Sequence, residues 1–253
     1  MEKTALITGA TSGIGEACAF AFAGAGYKVI ITGRRSERLS ALKNKIVGNT
    51  GSQVHTLCFD VRNKEATLSA ISGLPDQYKD IDILINNAGL ALGRDSFENA
   101  SIDDWETMLS TNVNGILYVS KAVLPGMIER KTGHIINIGS IAGKEVYEKG
   151  NVYCASKSAV DSLTRGMRID LLKHGIKVTG IHPGAVETEF SIVRFHGDLE
   201  KAADTYKGYL PLSSEDVAAV VLYSASLPPH VCINDLVLTC TSQANAFYFN
   251  KST

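Results

Sequence analysis

Apolar residues fall in short runs along this chain, and longer mixed stretches separate them. Residues 4–8, 28–32, 54–59, 83–86, 134–138, 177–182 and 236–239 are rich in Ile, Val, Leu and Thr. Each run is too short for a helix and reads as a strand, several of them apolar enough to be covered on both faces. Helix-like stretches lie between them at 14–25, 36–47, 64–72, 101–130, 151–173 and 213–227. Ser101 with Asp104, and Ser213 with Asp216, have the spacing of N-terminal capping boxes with Asp in place of Glu. Repeated strand–helix–strand units predict an α/β fold, a doubly wound parallel sheet with helices on both faces. Ligands in such sheets bind at the carboxyl ends of the strands, where the strand order reverses. The turn after residue 8, Arg34, Asp60, Asn86, Ser140 and Pro183 all fall at or just after predicted strand ends, on one rim.

Composition narrows this picture without redirecting it. The 253 residues carry no Pro/Ser-rich linker, so 1–253 is expected to be a single domain. A formal net charge of −1 gives no electrostatic reason to expect nucleic acid or an anionic membrane as partner. No apolar stretch approaches the ~20 residues of a membrane span. The first strand begins almost at once, which leaves no room for a signal peptide. Five cysteines are scattered, with no Cys-x-x-Cys pair, so a cytoplasmic location fits best. The six histidines show no metal-ligand spacing, and no metal is expected.

Two local patterns carry chemistry. Thr8-Gly9-Ala10-Thr11-Ser12-Gly13-Ile14-Gly15 joins the first strand to the first helix. Glycines there permit a tight turn and let the backbone approach a pyrophosphate that rests on the helix N-terminus. Tyr153 and Lys157 stand four apart on a predicted helix and so share a face. A phenol with its ordinary pKa of about 10 is a poor base near neutrality. A neighbouring ammonium favours the phenolate, which turns the tyrosine into a usable general acid and base. At the end of the second strand, Gly33 stands where a carboxylate would hold an adenosine ribose diol, and Arg34 and Arg35 follow it. Guanidiniums there suit a 2′-phosphate, so NADP(H) is the expected cofactor, read by Arg34 first and Arg35 second.

Thr8 to Gly15, Asn86-Asn87-Ala88-Gly89, Ser140, Tyr153-x-x-x-Lys157 and Pro183-Gly184 occur in that order, and together they resemble the short-chain dehydrogenase/reductase family over almost the whole chain. The resemblance implies a Rossmann fold. It implies that Tyr153 exchanges a proton with the substrate oxygen, that Ser140 hydrogen-bonds that oxygen, and that Lys157 lowers the tyrosine pKa and binds the nicotinamide ribose. Asn112, preferred over Asn114, would support a proton path to Lys157. Gly9, Thr11, Ser12, Gly13, Ile14 and Gly15 would line the pyrophosphate, and Asp60 and Val61 the adenine. Asn86, Ala88 and Gly89 would lie beside the nucleotide ribose. Pro183, Gly184, Val186 and Thr188 would lie beside the nicotinamide carboxamide. The resemblance also implies pairing through helices 101–130 and 151–173 into a homotetramer.

The segment 187–212 is the expected substrate lid. Phe190 to Asp198 and Gly89-Leu90-Ala91-Leu92-Gly93 resemble one branch of the family, the NADP-dependent 3-hydroxy acid dehydrogenases that act on L-serine, L-allo-threonine and related small acids. A small carboxylate needs a cation near Ser140. Arg194, Lys144 and His196 are candidates, with Arg194 preferred for its fork of donors. Glu145 and Glu148 add two carboxylates to the same neighbourhood. The alternatives are a 3-oxoacyl thioester or other carbonyl reductase, and an NADPH-binding protein without turnover. The aromatic tail 244–249 is expected to pack on a neighbouring subunit or beside the substrate mouth.

Overall fold

The computed structural model describes residues 2–252. Seven strands form: β1 (Thr4–Ile7), β2 (Lys28–Gly33), β3 (Val54–Cys58), β4 (Ile83–Asn86), β5 (Gly133–Ile138), β6 (Ile176–Pro183) and β7 (Asp235–Leu238). All pair in parallel, in the order β3-β2-β1-β4-β5-β6-β7. No strand end lies more than a residue from its expected position.

The reason is burial on both faces. In β1, Ala5 and Ile7 join one core cluster while Leu6 joins the other; in β2, Val29 and Ile31 face opposite to Ile30. Each such aliphatic side chain contributes about 1.5–3 kcal/mol when fully buried, so neither face has room for polar alternation.

The helices are α1 (Gly13–Gly24), α2 (Ser36–Thr50), α3 (Lys64–Ser72), α4 (Asp76–Lys79), α5 (Ile102–Leu109), α6 (Gly115–Arg130), α7 (Asn151–Leu171), α8 (Glu189–Arg194), α9 (Leu199–Asp204) and α10 (Ser214–Ser226). One face of the sheet is covered by α1, α2 and α10 through Phe22, Leu39, Ile46, Val217 and Val221. The other is covered by α3, α4, α6 and α7 through Ile71, Tyr78, Val123, Met127 and Leu171. Ser213 and Asp216 complete a reciprocal capping box, whereas Ser101 supplies only one half, accepting from the Asp104 backbone at 3.4 Å.

One expectation is refined. The helix expected over 101–130 runs from Ile102 to Arg130, but a π turn at Ser110–Asn114 divides it into α5 and α6. The widened turn is held by Asn112, whose Oδ1 accepts from Leu90 N at 2.8 Å. Its Nδ2 donates to Leu90 O at 2.8 Å and to Ser156 Oγ at 3.0 Å. Those three bonds offset the lost helical ones and turn a polar side chain inward; such turns recur at functional sites. The short helices α4, α8 and α9 also went unforeseen, being too brief for a periodic signal.

The strand order reverses between β1 and β4, whose onward connections run to opposite sides. A crevice opens there at the carboxyl ends of the strands.

Candidate active site

A cleft of about 1090 Å³ occupies that crevice. Its floor is the turn after β1, where Gly9 and Gly13 have φ of +65° and +56°, in the left-handed region open to glycine. A Cβ on Gly9 would stand 2.9 Å from Ala88 Cα, and one on Gly15 would collide with Gly9 O and the Asn87 amide. Gly9, Thr11, Ser12, Gly13 and Ile14 line the cleft. Gly15 lies behind them, where its bareness lets α1 close against the turn.

At one end the cleft meets the guanidiniums of Arg34 and Arg35, with Arg62 and Arg38 just outside it. Arg34 lies 3.8 Å from Asp60 Oδ2, and Arg62 holds the same carboxylate at 2.7 Å. Burial pushes the Asp60 pKa up, but the Arg62 and Arg34 cations outweigh it and hold the group below its ordinary value. Arg35 donates to Thr11 Oγ1 at 2.8 Å and to Ser12 Oγ at 3.4 Å. Arg35 and Arg38 both pair with Glu189 on α8, at 3.4 and 2.8 Å. The sequence alone does not single out Arg38, which stands in the first turn of α2.

Val61, Ala88 and Gly89 line the cleft as expected, but Asn86 does not. Its Nδ2 donates to Ser120 Oγ at 3.0 Å and Asn137 Oδ1 at 2.9 Å, within the layer between sheet and α6. Asn87 takes the position on the cleft instead, its Nδ2 donating to Thr8 O at 2.9 Å. Two adjacent strand-end asparagines point to opposite faces, and the motif alone does not say which faces in.

At the inner end stand Ser140, Tyr153 and Lys157, all more than nine-tenths buried. Ser140 N-caps a short 3-10 turn, its Oγ accepting from Ala142 N at 3.1 Å. Lys157 donates to Ile138 O at 3.0 Å, and burial lowers its pKa to about 8. Burial also raises the Tyr153 pKa, helped by Tyr147, while a hydrogen bond from Ser140 and the charge of Arg194 work the other way. The net direction is upward, opposite to the lowering that the sequence expectation assigns to Lys157. A phenol held protonated, a hydroxyl beside it and an ammonium with a depressed pKa can together pass a proton to and from a bound oxygen.

On the substrate side Arg194 hydrogen-bonds Tyr147 Oη at 2.9 Å and Gly93 O at 3.4 Å, with its guanidinium carbon 5.4 Å from the centre of the Tyr153 ring. Phe190 packs on that ring from the same segment, at 5.7 Å. The two other cations weighed for this role are placed elsewhere. Lys144 is bound between Asp161 and Asp235, at 2.7 and 2.8 Å, and does not line the cleft. His196 lies 3.2 Å from Asp104, outside the main cleft. Both are drawn away by carboxylates that are distant in sequence.

Glu145 accepts from Ala246 N at 3.0 Å, which draws it to the tail; Glu148 does line the cleft. The tail folds back beside the mouth: Ala246, Phe247 and Phe249 line it, and Gln243 accepts from Ala185 N at 2.8 Å. Pro183, Gly184, Val186 and Thr188 line the opposite wall, with Thr188 capping α8 against Gly13.

A glycine-floored crevice at the switch point of a doubly wound sheet, with Ser140, Tyr153 and Lys157 buried at its inner end, has the form of a dinucleotide-binding α/β site. A family model for short chain dehydrogenases matches residues 3–197. The chain belongs to that family. It is 50% identical over 242 residues to the NADP-dependent 3-hydroxy acid dehydrogenase of Salmonella typhi, covering 95% of this chain and 96% of that one. It is 46% identical over 246 residues to a serine 3-dehydrogenase of Rhizobium radiobacter, covering 97% of each. The closed form of a serine dehydrogenase complexed with NADP+ superposes with a TM-score of 0.93 at 46% identity, covering 99% of this chain and 100% of that one.

Proposed function

We propose that this protein is an NADP(H)-dependent oxidoreductase that transfers hydride to and from a small 3-hydroxy acid, such as L-serine or L-allo-threonine, or its oxidised form. The observation that carries the acid is Arg194: a half-buried guanidinium beside the Tyr153 ring, satisfied only by an uncharged hydroxyl and a carbonyl. Among the described residues no carboxylate pairs with it, so the positive charge is left for a ligand. The relatives named above act on hydroxy acids and serine, which supports the same reading.

The residues present fit the cofactor. The bare turn at Gly9 and Gly13 accommodates a pyrophosphate, and Arg34, Arg35 and Arg38 surround the end where a 2′-phosphate would lie. When bound, the nicotinamide supplies or accepts the hydride. The chain's own residues do the rest. Ser140 Oγ hydrogen-bonds the substrate oxygen, Tyr153 exchanges its proton with it, and Arg194 holds the carboxylate so that the carbinol faces the phenol. Asn112 Oδ1 and Lys157 Nζ both border the space beside Gly89, 3.2 and 3.5 Å from where a Cβ there would sit. A proton leaving Lys157 passes Asn112 on that side.

The direction of the pKa shifts sets a pH dependence. Burial keeps Tyr153 protonated at neutrality, and Lys157 loses its proton through about 8. Oxidation needs the phenolate to accept a proton, so its kcat should climb as pH rises above neutral; reduction draws on the phenol proton and its resupply through Lys157, and should fall as Lys157 loses its proton through about 8. Profiles of both directions from about pH 6 to about pH 10 check this, and a flat oxidation limb contradicts it.

Arg34→Asp should lower kcat/KM for NADP relative to NAD by about 10- to 100-fold, the loss of one charge-assisted phosphate contact. An unchanged ratio would transfer the reading of the 2′-phosphate to Arg35 and Arg38.

The chain is proposed to act as one domain, 1–253, with 187–212 as its lid, in the cytoplasm and as a homotetramer. No helix among the described residues is long and apolar enough to cross a membrane. Ile102, Leu109 and Leu117 on α5 and α6, and Ile169 on α7, are exposed and support pairing through those helices. A mass of one or two chains by light scattering would count against the tetramer.

The deciding assay follows NADP(H) absorbance with L-serine, L-allo-threonine, 3-hydroxypropionate and 3-hydroxybutyrate, each repeated with NAD. Turnover confined to NADP and these acids supports the reading. Nucleotide binding without turnover would redirect it to larger carbonyl substrates.

A further inference from the structure

Behind the cleft, out of reach of any ligand in it, four charged or titratable side chains meet. Lys144 Nζ lies 2.7 Å from Asp161 Oδ1 and 2.8 Å from Asp235 Oδ2. His182 Nε2 lies 2.7 Å from Asp235 Oδ1 and 3.7 Å from Asp161 Oδ1. His182 is wholly buried, and neither ring nitrogen has an aligned hydrogen-bond partner, so the 2.7 Å contact is close in distance but out of line. Burial lowers the His182 pKa, and Lys144 lowers it further, against the pull of both carboxylates. Arg165 pairs with Asp161 at 3.2 Å from solvent, and Arg168 adds positive charge near Asp235.

The ligand atoms of Asp161, His182 and Asp235 lie within 4.8 Å of one another, a spacing that would suit a divalent cation. The Lys144 ammonium donates to both carboxylates and supplies the cation from within the chain.

Each member belongs to a segment that carries a site residue. Lys144 closes the 3-10 turn that begins at Ser140. Asp161 lies one turn past Lys157 and two past Tyr153, on the same face of α7. His182 immediately precedes Pro183-Gly184, and its ring abuts Gly139, where a Cβ would collide with Nδ1. Asp235 begins the edge strand β7.

We propose that Lys144, Asp161, Asp235 and His182 form a positioning network that fixes the Ser140 turn against the helix bearing Tyr153 and Lys157. Lys144 is its central tie, spanning from the Ser140 turn to α7 and β7. None of the four touches substrate or cofactor; they act on the distance between the Ser140 hydroxyl and the Tyr153 phenol. The proposal rests on the catalytic reading of those two residues.

The test compares Lys144→Met with Lys144→Arg in the full-length protein, using kcat, KM for the 3-hydroxy acid and the Kd of NADPH. Lys144→Met keeps the length of the side chain and removes its charge. It should lower kcat by about 10- to 100-fold, as a misplaced reacting pair does, with KM and Kd within about twofold of wild type. Lys144→Arg should restore most of kcat. The double variant Lys144→Met/Asp161→Asn should lose no more than Lys144→Met alone, since both changes break one tie. A Lys144→Met enzyme with wild-type kcat overturns the proposal, and so does one in which kcat and NADPH binding fall together. Tyr153→Phe, run alongside, separates the two readings: if it turns over normally the site assignment fails, whereas a silent Tyr153→Phe beside an unaffected Lys144→Met removes the network alone.

Discussion

Tyr153→Phe should reduce turnover by about 10³- to 10⁴-fold in both directions while NADPH binds with a Kd within about twofold of wild type. The phenol is buried, packed on Phe190 and among Ala91, Met108, Ala142 and Cys154, so phenylalanine fills the same space and the wall of the cleft stays in place. What is lost is one proton-carrying oxygen. Ser140 remains, but an unperturbed hydroxyl does not titrate near neutrality. Lys157 remains too, with its ammonium on Ile138 O rather than at the substrate position. Neither can substitute. Single-turnover measurement of NADPH oxidation, beside a binding titration by NADPH fluorescence, gives both numbers. Turnover above about one tenth of wild type would show that the acid–base step belongs to another group.

Arg194→Met should lower kcat/KM for 3-hydroxy acids by about 100-fold and leave uncharged secondary alcohols or ketones nearly unaffected. A hydrogen bond to a charged partner contributes about 1.5–3 kcal/mol, and the upper end corresponds to about that factor. The guanidinium is already held by Tyr147 Oη and Gly93 O, so little ordering is required when a carboxylate arrives. Methionine retains most of the apolar contact with the Tyr147 and Tyr153 rings, which isolates the charge as the variable. Comparing 3-hydroxybutyrate with an uncharged secondary alcohol of the same size checks the assignment. Equal losses on both would make Arg194 a packing residue of the 187–212 segment.

The fold was legible because its signals are local. The strands are four to eight residues long and mostly rich in aliphatic side chains, and in the central ones burial on both faces leaves that pattern no competitor. The glycine turn and the Tyr153–Lys157 pair are equally local, since turn geometry and helical spacing act over a few residues. Where distant segments decide the outcome, the sequence was silent. Lys144 looked available until Asp161 and Asp235 were found on either side of it, from α7 and β7. His196 was likewise taken by Asp104. Arg38 gains its interest from Glu189, more than a hundred residues later in the chain. Asn86 and Asn87 are chemically identical, and only the pleat at the end of β4 assigns one to the interior and the other to the cleft.

The break between α5 and α6 has a bearing on how this sequence can change. In a regular helix each residue advances the direction of its neighbours by about 100°. The wide turn at Ser110–Asn114 places Asn112 against Leu90 and Ser156 only because the chain carries the number of residues it does there. A one-residue deletion would let α5 and α6 run on as a single helix and swing the whole of α5 away from α7. Loss of any single codon between 110 and 114 would shift that register and disturb the inner wall of the cleft, which Thr111 lines and Asn112 braces. The count of residues is itself part of the site.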